Sequence, residues 1–152
     1  MSRLTDILHT NSDEMRAEVI AKYLILKKPK TSAELVESMR TVMAGFSKKV
    51  QEVEGDAPIR RVFQALRIAV NDEFGVLDQF LNDIPMMLKA GGRVAILSFH
   101  SGEDRRVKKS FQNGHRIGLY KEISTEFIRP GPEEQRSNSR SKSAKLRWAI
   151  LK

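Results

Sequence analysis

A group of polar side chains follows a short apolar stretch in the second half of the sequence. Val94–Leu97 comes after a pair of glycines and is followed by Ser98, His100 and Ser101. A continuous apolar run between turn signals predicts a strand buried on both faces. A helix is expected next, with Ser101 as its N-cap and Asp104 reaching back to it. Ligands of open α/β sheets bind beyond the carboxyl ends of strands, so these polar residues are candidates for substrate contact. His100 either helps to hold or remove a substrate proton or only fixes the loop by bonding backbone groups.

Basic residues are concentrated in the last third of the chain. Residues 1–97 contain 14 Lys and Arg against 13 Asp and Glu, whereas residues 98–152 contain 13 against 6. This uneven positive charge favours a polyanionic partner, most simply nucleic acid, although basic loops can also serve solubility alone. Basic side chains and serine hydroxyls both donate to phosphate oxygens. The candidates for contact with RNA are Arg105, Arg136, Arg140, Lys142, Ser143, Lys145 and Arg147.

Two further polar candidates interrupt a long helical pattern. Apolar residues at spacings of three and four run from Phe63 to Ile84, which predicts helix. Asn71 and Asp72 lie in the middle of this pattern, close to Gly75, where we expect a kink or a break. They either cap the second of two helices or face a substrate.

Composition excludes several classes of protein. The chain of 152 residues has no cysteine and three histidines, which excludes disulfides and thiolate metal sites and predicts that no metal is bound. No apolar run reaches the length that spans a bilayer, so no membrane partner is expected. The first six residues lack the apolar core of a secretory signal. A cytoplasmic protein, or one of an organelle matrix, is the simplest interpretation.

Periodicity divides the chain into a helical part and an α/β part. Residues 4–44 show helical stripes, with Thr31 and Glu34 matching a capping box. Residues 46–58 are polar and predict a loop, which is the best candidate for a domain boundary. Alternation predicts strands over 119–129 and 144–151, the second with Leu146 and Trp148 on its apolar face. We therefore expect a helical segment over residues 1–57 and an α/β unit over residues 58–152.

Three separate motifs resemble those of one known family. Phe63–Glu73 reads F-Q-A-L-R-I-A-V-N-D-E, part of a signature that continues with leucine, and Gly91–Arg105 and Ser141–Arg147 match two further motifs in the same order. The chain is similar to the C-terminal half of the RsmH (MraW) family of S-adenosylmethionine-dependent 16S rRNA (cytosine-N4) methyltransferases. The resemblance implies an α/β fold with a partial Rossmann-like methyltransferase sheet, strands 5, 6 and 7 of the order 3-2-1-4-5-7-6, and an N-terminal helical segment that resembles the family's inserted domain. Gly102 departs from the family, which has leucine there.

The cofactor-binding features of that family are not found in the sequence. Its glycine-rich loop, its ribose-binding acid and its S-P-x motif belong to its N-terminal half, and no G-x-G-x-x-G or similar turn occurs in these 152 residues. The resemblance implies S-adenosylmethionine as the cofactor, but we expect none to bind this chain alone, because a methyl donor needs a close backbone approach that glycines permit. No residue is assigned a catalytic role. Strand 4 would also be missing, which leaves the edge of Val94–Leu97 free for a protein partner or a second copy.

Three functions are compatible with these residues. The first is a fragment of an rRNA (cytosine-N4) methyltransferase that is active only with a complementing N-terminal part. The second is a non-catalytic module, derived from that family, that binds RNA or the ribosome. The third is a structural subunit that pairs through the free strand. Small-subunit rRNA or the ribosomal subunit is the expected partner of the first two.

Overall fold

A computed structural model describes residues 2–152 of the chain. These residues form two compact units, one that ends at Glu73 and one that spans Phe74–Lys152. The division falls later than the domain boundary expected at residue 57, which stays a prediction. In order, the elements are α1 (Arg3–Ser12), α2 (Ala17–Lys27), α3 (Ser32–Ala44), α4 (Lys48–Glu54), α5 (Ala57–Asn71), α6 (Glu73–Met87), β1 (Arg93–Ser98), α7 (Ser101–Arg116), β2 (Tyr120–Ile123), α8 (Pro132–Ser137), a 3-10 helix (Ser139–Ser143) and β3 (Lys145–Leu151).

The first unit is a helical bundle around one apolar core. The stripes of its helices bring Leu8, Ile20, Met39 and Val62 together at the centre, where none of the four is exposed. Burial of four such side chains contributes roughly 1.5–3 kcal/mol each, which is the main term that holds short helices in place. The helical segment expected from periodicity is therefore observed.

Local signals decide where these helices begin. The capping prediction for α3 is confirmed, because Thr31 Oγ1 accepts a hydrogen bond of 3.2 Å from the Glu34 amide. The loop predicted over residues 46–58 is wrong in part, since seven of these residues form α4. Pro58 lies in the first turn of α5, where the amide that proline lacks would have no helical acceptor. Polarity alone misled the prediction because α4 is short and none of its residues is buried.

One carboxylate is fully buried inside the helical unit. Glu14 is 0% exposed and accepts from Arg61 Nε at 2.6 Å and from the Arg16 amide at 3.0 Å. Arg61 and Arg16 both reach Glu54 as well. The hydrogen bond from Arg61 is the main reason why the pKa of Glu54 lies below its usual value, against the opposing effect of burial. The four charges bridge α4, α5 and the turn before α2.

The long helical pattern after residue 60 breaks at a single residue. Asp72 ends α5 in the left-handed region, with φ of 49°, which aspartate tolerates better than most residues. The break expected near Gly75 therefore falls three residues earlier, and Gly75 lies inside α6. Pro85 also lies inside α6, two residues before its end.

The second unit contains a sheet of three strands in the order β1-β3-β2, with both pairings antiparallel. Arg93 pairs with Ile150 and Ser98 with Lys145. The strand predicted over 119–129 is shorter, because β2 is bulged, ends at Ile123, and the chain returns only as a bridge further on. Helices α6 and α7 cover one face with Leu81, Ile84, Val107 and Phe111, which share a core with Ala149 of β3. The α/β class is confirmed, as a small antiparallel sheet with helices on one face.

The other face of this sheet is open, which corrects two expectations. β1 is not buried on both faces, since Leu97 is 53% exposed. On β3 the covered side chains are Arg147 and Ala149, whereas Leu146 and Trp148, expected on the core face, lie half-buried on the open side. Alternation shows that a strand has two faces but not which one a helix covers. A groove of about 520 Å³ lies on the open face, lined by Arg93, Val94, Ala95, Glu122, Leu146, Trp148 and Ile150.

Candidate functional site at the end of the first strand

Ser98 ends β1 and ties it to β3. Its Oγ donates to the backbone carbonyl of Lys145 at 3.3 Å, and the two residues are partners in the strand register. Ser98 is almost fully buried. The hydroxyl therefore holds the end of β1 against the start of β3, which carries the predicted residues Lys145 and Arg147.

His100 comes next and packs against an aromatic ring. Its imidazole lies 5.8 Å from the Phe74 ring, centroid to centroid, and Nε2 lies 3.3 Å from Glu103 Oε1. Glu103 Oε2 also accepts from the Phe99 amide at 2.9 Å. The His100 contact is the main reason why the pKa of the Glu103 carboxyl is lowered, against the effect of burial. His100 fixes the turn into α7 through this carboxylate, which resembles the structural alternative weighed for it, although the partner is a side chain.

The capping arrangement predicted for α7 is wrong. Ser101 is the first helical residue, not the N-cap, which is His100. The acid that reaches back to the preceding turn is Glu103, while Asp104 points elsewhere. Two adjacent acids gave the sequence no means of choosing between them, because either suits the first turn of a helix.

Asp104 instead binds the buried guanidinium of β3. Its carboxylate accepts from Arg147 Nε at 2.7 Å and from Nη2 at 3.3 Å, and Lys145 Nζ lies 3.5 Å away. Asp104 and Arg147 are 6% and 3% exposed. Burial alone would raise the pKa of Asp104, but the hydrogen bonds and charges of Arg147 and Lys145 outweigh it and lower that pKa. The pair joins the first turn of α7 to β3.

Three cations surround one half-buried aromatic ring beside this pair. The Phe127 centroid lies 4.8 Å from Arg129 Cζ, 4.9 Å from Lys145 Nζ and 5.4 Å from Arg147 Cζ. The ring face attracts cations, so the cluster is stable with Asp104 as the carboxylate that binds two of the three. Phe127, Arg129 and Asp104 were not among the residues predicted for the site. Alternation predicted a strand that contains Phe127, but no local pattern shows that Lys145 and Arg147, 18 and 20 positions later, approach its ring.

The serine-rich segment is ordered into two short helices. Ser141 is buried and its Oγ donates to the Asn138 carbonyl at 2.8 Å, and the Asn138 side chain accepts from the Arg140 amide at 3.1 Å. These bonds hold the turn that leads into β3. The predicted contact residues in or beside it are exposed, namely Arg136, Arg140, Lys142 and Ser143, as is Arg105 on α7.

The remaining predicted residues belong to the helical unit. Asp72 is the left-handed residue that ends α5, and Asn71 Nδ2 donates to Glu73 Oε1 at 3.3 Å. The structural alternative given above was a cap for the second helix, whereas Asp72 ends the first. The structure thus gathers Lys145 and Arg147 around Asp104, with Ser98 bonded to the backbone of Lys145. Contact of Asn71 and Asp72 with a substrate stays a prediction.

Gly102 allows His100 and Phe74 to pack closely over the start of α7. A Cβ at Gly102 would lie 2.6 Å from Phe74 Cζ and 3.2 Å from the His100 ring. The family signature has leucine at the position of Phe74 and leucine again at the position of Gly102. The larger ring here occupies space that a leucine at position 102 would fill. Arg106 Cζ lies 4.1 Å from the Phe74 centroid on α7.

The arrangement suits a polyanion at the carboxyl end of β1. Cations on a rigid strand pair attract phosphates, and an aromatic ring among them is the usual platform for a base. Within residues 2–152, no group of three or more His, Asp or Glu could hold a metal ion, and no helix there is long and apolar enough to cross a membrane. The fold and the site define an α/β protein with basic side chains gathered around an aromatic ring beside the end of its first strand.

Comparison with known proteins gives the family. A family model described as the MraW methylase family matches residues 1–152, and the chain belongs to that family. It is 46% identical to Ribosomal RNA small subunit methyltransferase H 2 of Alkaliphilus metalliredigens, over 97% of this chain and 44% of that protein. It is also 46% identical to Ribosomal RNA small subunit methyltransferase H of Crocosphaera subtropica, over 98% and 45%. The relative of the same name from Metamycoplasma arthritidis is 40% identical, over 96% of this chain and 53% of that protein. The chain spans about half the length of these relatives.

Proposed function

We propose that this chain is the C-terminal half of an S-adenosylmethionine-dependent rRNA (cytosine-N4) methyltransferase and presents small-subunit rRNA to the methyl donor. The observation that carries the proposal is the cluster around Phe127. Lys145, Arg129 and Arg147 meet there at the strand end where α/β sheets bind ligands. The names of the relatives support ribosomal RNA of the small subunit as the substrate.

The sheet supports the position of the chain within the methyltransferase fold. The order β1-β3-β2 agrees with strands 5, 7 and 6 at the end of the order 3-2-1-4-5-7-6. In that correspondence β1 is strand 5, and its outer edge takes strand 4 of a complementing part. Strands in such sheets are covered on both faces, which accounts for the apolar side chains on the open face.

The methyl donor does not fit the residues of this chain. Gly91, which has a left-handed φ of 75°, precedes β1 and does not join a strand to a helix. At Gly102, the close approach is used by Phe74 and His100. S-adenosylmethionine therefore binds the complementing N-terminal part, and the residues described above bind and orient the RNA. Alone, the chain is inactive.

The complementing part packs against β1 and the open face of the sheet. Register places the amides and carbonyls of alternate β1 residues toward β3, so those of Arg93, Ala95 and Leu97 point to the outer edge, which has no neighbouring strand within residues 2–152. An apolar edge of this kind is a pairing site. A second copy of the chain is the competing occupant. A cytoplasmic location, where ribosomal subunits are found in bacteria, belongs to the same proposal.

The second candidate is a non-catalytic module that binds RNA or the ribosome. The hydrogen bond of Ser98 favours it, because this nearly buried hydroxyl already donates to the Lys145 carbonyl. The two candidates share the RNA site and differ in whether methyl transfer occurs when the other half is supplied.

Reconstitution separates the candidates. The chain is expressed with the N-terminal half of the Alkaliphilus metalliredigens relative, and transfer of labelled methyl groups to small ribosomal subunits is measured. We expect incorporation with both parts and none with either alone.

Lys145→Gln should lower RNA affinity by about three- to tenfold, whereas Lys22→Gln, on the exposed side of α2, should leave it unchanged. Binding of RNA with no transfer in any mixture would favour the module, and equal effects of the two substitutions would refute the assigned RNA site.

A further inference from the structure

One aromatic side chain at the end of β1 lies among polar residues and outside the core. The run Val94–Leu97 is apolar, and the residues that follow it, Ser98, His100 and Ser101, are polar. Phe99 interrupts this polar series and is 50% exposed. Single exposed apolar residues are common on protein surfaces, so exposure alone assigns no role to Phe99. Its backbone contacts and its position beside the basic residues give the role.

The backbone that carries the Phe99 ring is fixed by the turn into α7. The Phe99 amide donates to Glu103 Oε2 at 2.9 Å, and the other oxygen of the same carboxylate lies 3.3 Å from His100 Nε2. The His100 ring in turn packs 5.8 Å from the Phe74 ring, centroid to centroid. Because the turn is already ordered, a ligand that binds the Phe99 ring loses little affinity to the ordering of the backbone.

A cation of the proposed RNA site lies directly across the strand pair from this turn. Ser98 is the register partner of Lys145, and such partners in antiparallel strands have Cα atoms about 4.5–5.5 Å apart. The Cα atoms of Phe99 and Lys145 are therefore at most about 9 Å apart. Lys145 Nζ also lies 4.9 Å from the Phe127 ring centroid. Proteins that bind single strands place cations along the phosphates and aromatic rings under successive bases, and this strand end has both.

The polar neighbours of Phe99 favour RNA over a protein surface as the occupant of the ring. Interfaces between proteins have an apolar core, and the exposed apolar residue of β1 that suits one is Leu97, at the edge assigned to the complementing part. Phe99 lies beyond that edge, between Ser98 and His100. A base needs only the flat face of the ring, with polar groups around it for the sugar and phosphate.

We propose that Phe99 is a stacking platform for one base of the bound RNA, next to the phosphate that Lys145 contacts. The inference rests on the proposed function for the identity of the ligand, but not on methyl transfer. Every base has a π face, so the ring fixes the position of the strand at the end of β1 without reading its sequence.

Anisotropy of a fluorescein-labelled oligocytidylate, titrated with the 152-residue chain, tests the inference. Phe99→Leu keeps an apolar side chain but removes the aromatic face, and Phe99→Tyr keeps that face. The matched control is Phe80→Leu on α6, where the phenylalanine is 45% exposed. We expect Phe99→Leu to weaken binding at least about fivefold, and the other two variants to change it less than about twofold. A urea titration followed by Trp148 fluorescence verifies that each variant is folded.

The salt dependence separates stacking from an indirect effect through Lys145. Each phosphate contact with a single strand contributes about 0.7 to the slope of log affinity against log salt concentration. Lys145→Gln should reduce this slope by about 0.7, whereas Phe99→Leu should lower the affinity at every salt concentration and leave the slope unchanged. A reduced slope in Phe99→Leu would show that the ring only positions the lysine, and would overturn the inference.

The outcomes distinguish this inference from the proposed function. Unchanged RNA affinity in Phe99→Leu, with a loss in Lys145→Gln, would overturn the role of Phe99 and leave the RNA site in place; this result is expected if the ring packs against the complementing part. Equal losses in Phe99→Leu and Phe99→Tyr would also overturn it. Absence of methyl transfer in every mixture would refute the methyltransferase function and leave the stacking result standing. No binding of the RNA by the unchanged chain would overturn both the inference and the RNA site.

Discussion

Replacing Asp104 by asparagine should destabilise the unit Phe74–Lys152 far more than an ordinary surface substitution. Asn keeps the shape of the side chain but removes the charge that Arg147, which is almost fully buried, binds at 2.7 Å. Removal of one partner of a buried ion pair costs about 3–5 kcal/mol, because the other charge stays buried. The amide oxygen of asparagine still accepts one hydrogen bond, and Lys145 is partly exposed. We therefore expect a loss of about 3 kcal/mol in the free energy of unfolding at neutral pH.

The assay uses the single tryptophan of the chain. Trp148 follows Arg147 on β3, so its fluorescence in a urea titration reports unfolding of this unit. The matched control is Asp78→Asn, which removes the partner of Arg106 at the same kind of distance, 2.6 Å, but with side chains 31% and 48% exposed. Exposed pairs contribute about 0–1 kcal/mol. Equal losses in the two variants, both below about 1 kcal/mol, would refute the account of the buried pair.

The same pair predicts the pH dependence of that difference. The pKa of Asp104 is lowered in the folded chain from its ordinary value of 3.8. Its contribution is therefore fully present above that value and is lost as the pH falls through the lower, folded pKa. The difference in stability between the unchanged chain and Asp104→Asn should be constant from pH 7 to about pH 5 and shrink below 3.8. Urea titrations across this range measure it, and a difference that grows with acidity would contradict the sign.

Two further substitutions test packing and the sheet edge. Gly102→Leu should lower the free energy of unfolding by about 1–3 kcal/mol through its clash with Phe74, and adding Phe74→Leu should recover most of this loss. A double-mutant cycle measured by urea titration should therefore give a coupling energy of about 1–2 kcal/mol. Additive losses would show that the two positions do not share space. Leu97→Lys, at a half-exposed position on the free edge, should change the free energy of unfolding by less than about 0.5 kcal/mol yet reduce association with a complementing half. Sedimentation measures the association, and the control Val70→Lys on the helical unit should leave it unchanged. If Leu97→Lys also left the association unchanged, this edge would be excluded as the pairing surface.

Much of the fold could be predicted because the signals are local. The glycine pair and the apolar run gave β1, the acidic first turn gave α7, and Thr31 with Glu34 gave the start of α3. The break at Asp72 was misplaced to Gly75 because left-handed aspartate has no distinct signal in sequence. Pro85 lies inside α6 although proline usually ends a helix. The helix continues past it because its buried face, with Leu81 and Ile84, packs in the core.

The site was predicted in part, and the missing part is nonlocal. Lys145 and Arg147 were found from their charge and their position beside serines. Their partner Asp104 lies 43 positions before Arg147, and its adjacency to Glu103 made it resemble a capping acid. Trp148 was expected on the core face because its strand alternates, but alternation does not tell which side the helices of this chain cover.

The central claim is that this chain supplies the RNA-facing half of a methyltransferase and that the methyl donor binds elsewhere. Calorimetric titration with S-adenosylmethionine tests it most directly, first on the chain alone and then on the chain mixed with the N-terminal half of the Alkaliphilus metalliredigens relative. The account predicts no binding heat for the chain alone and stoichiometric binding for the mixture. Stoichiometric binding by the 152-residue chain without the other half would contradict it.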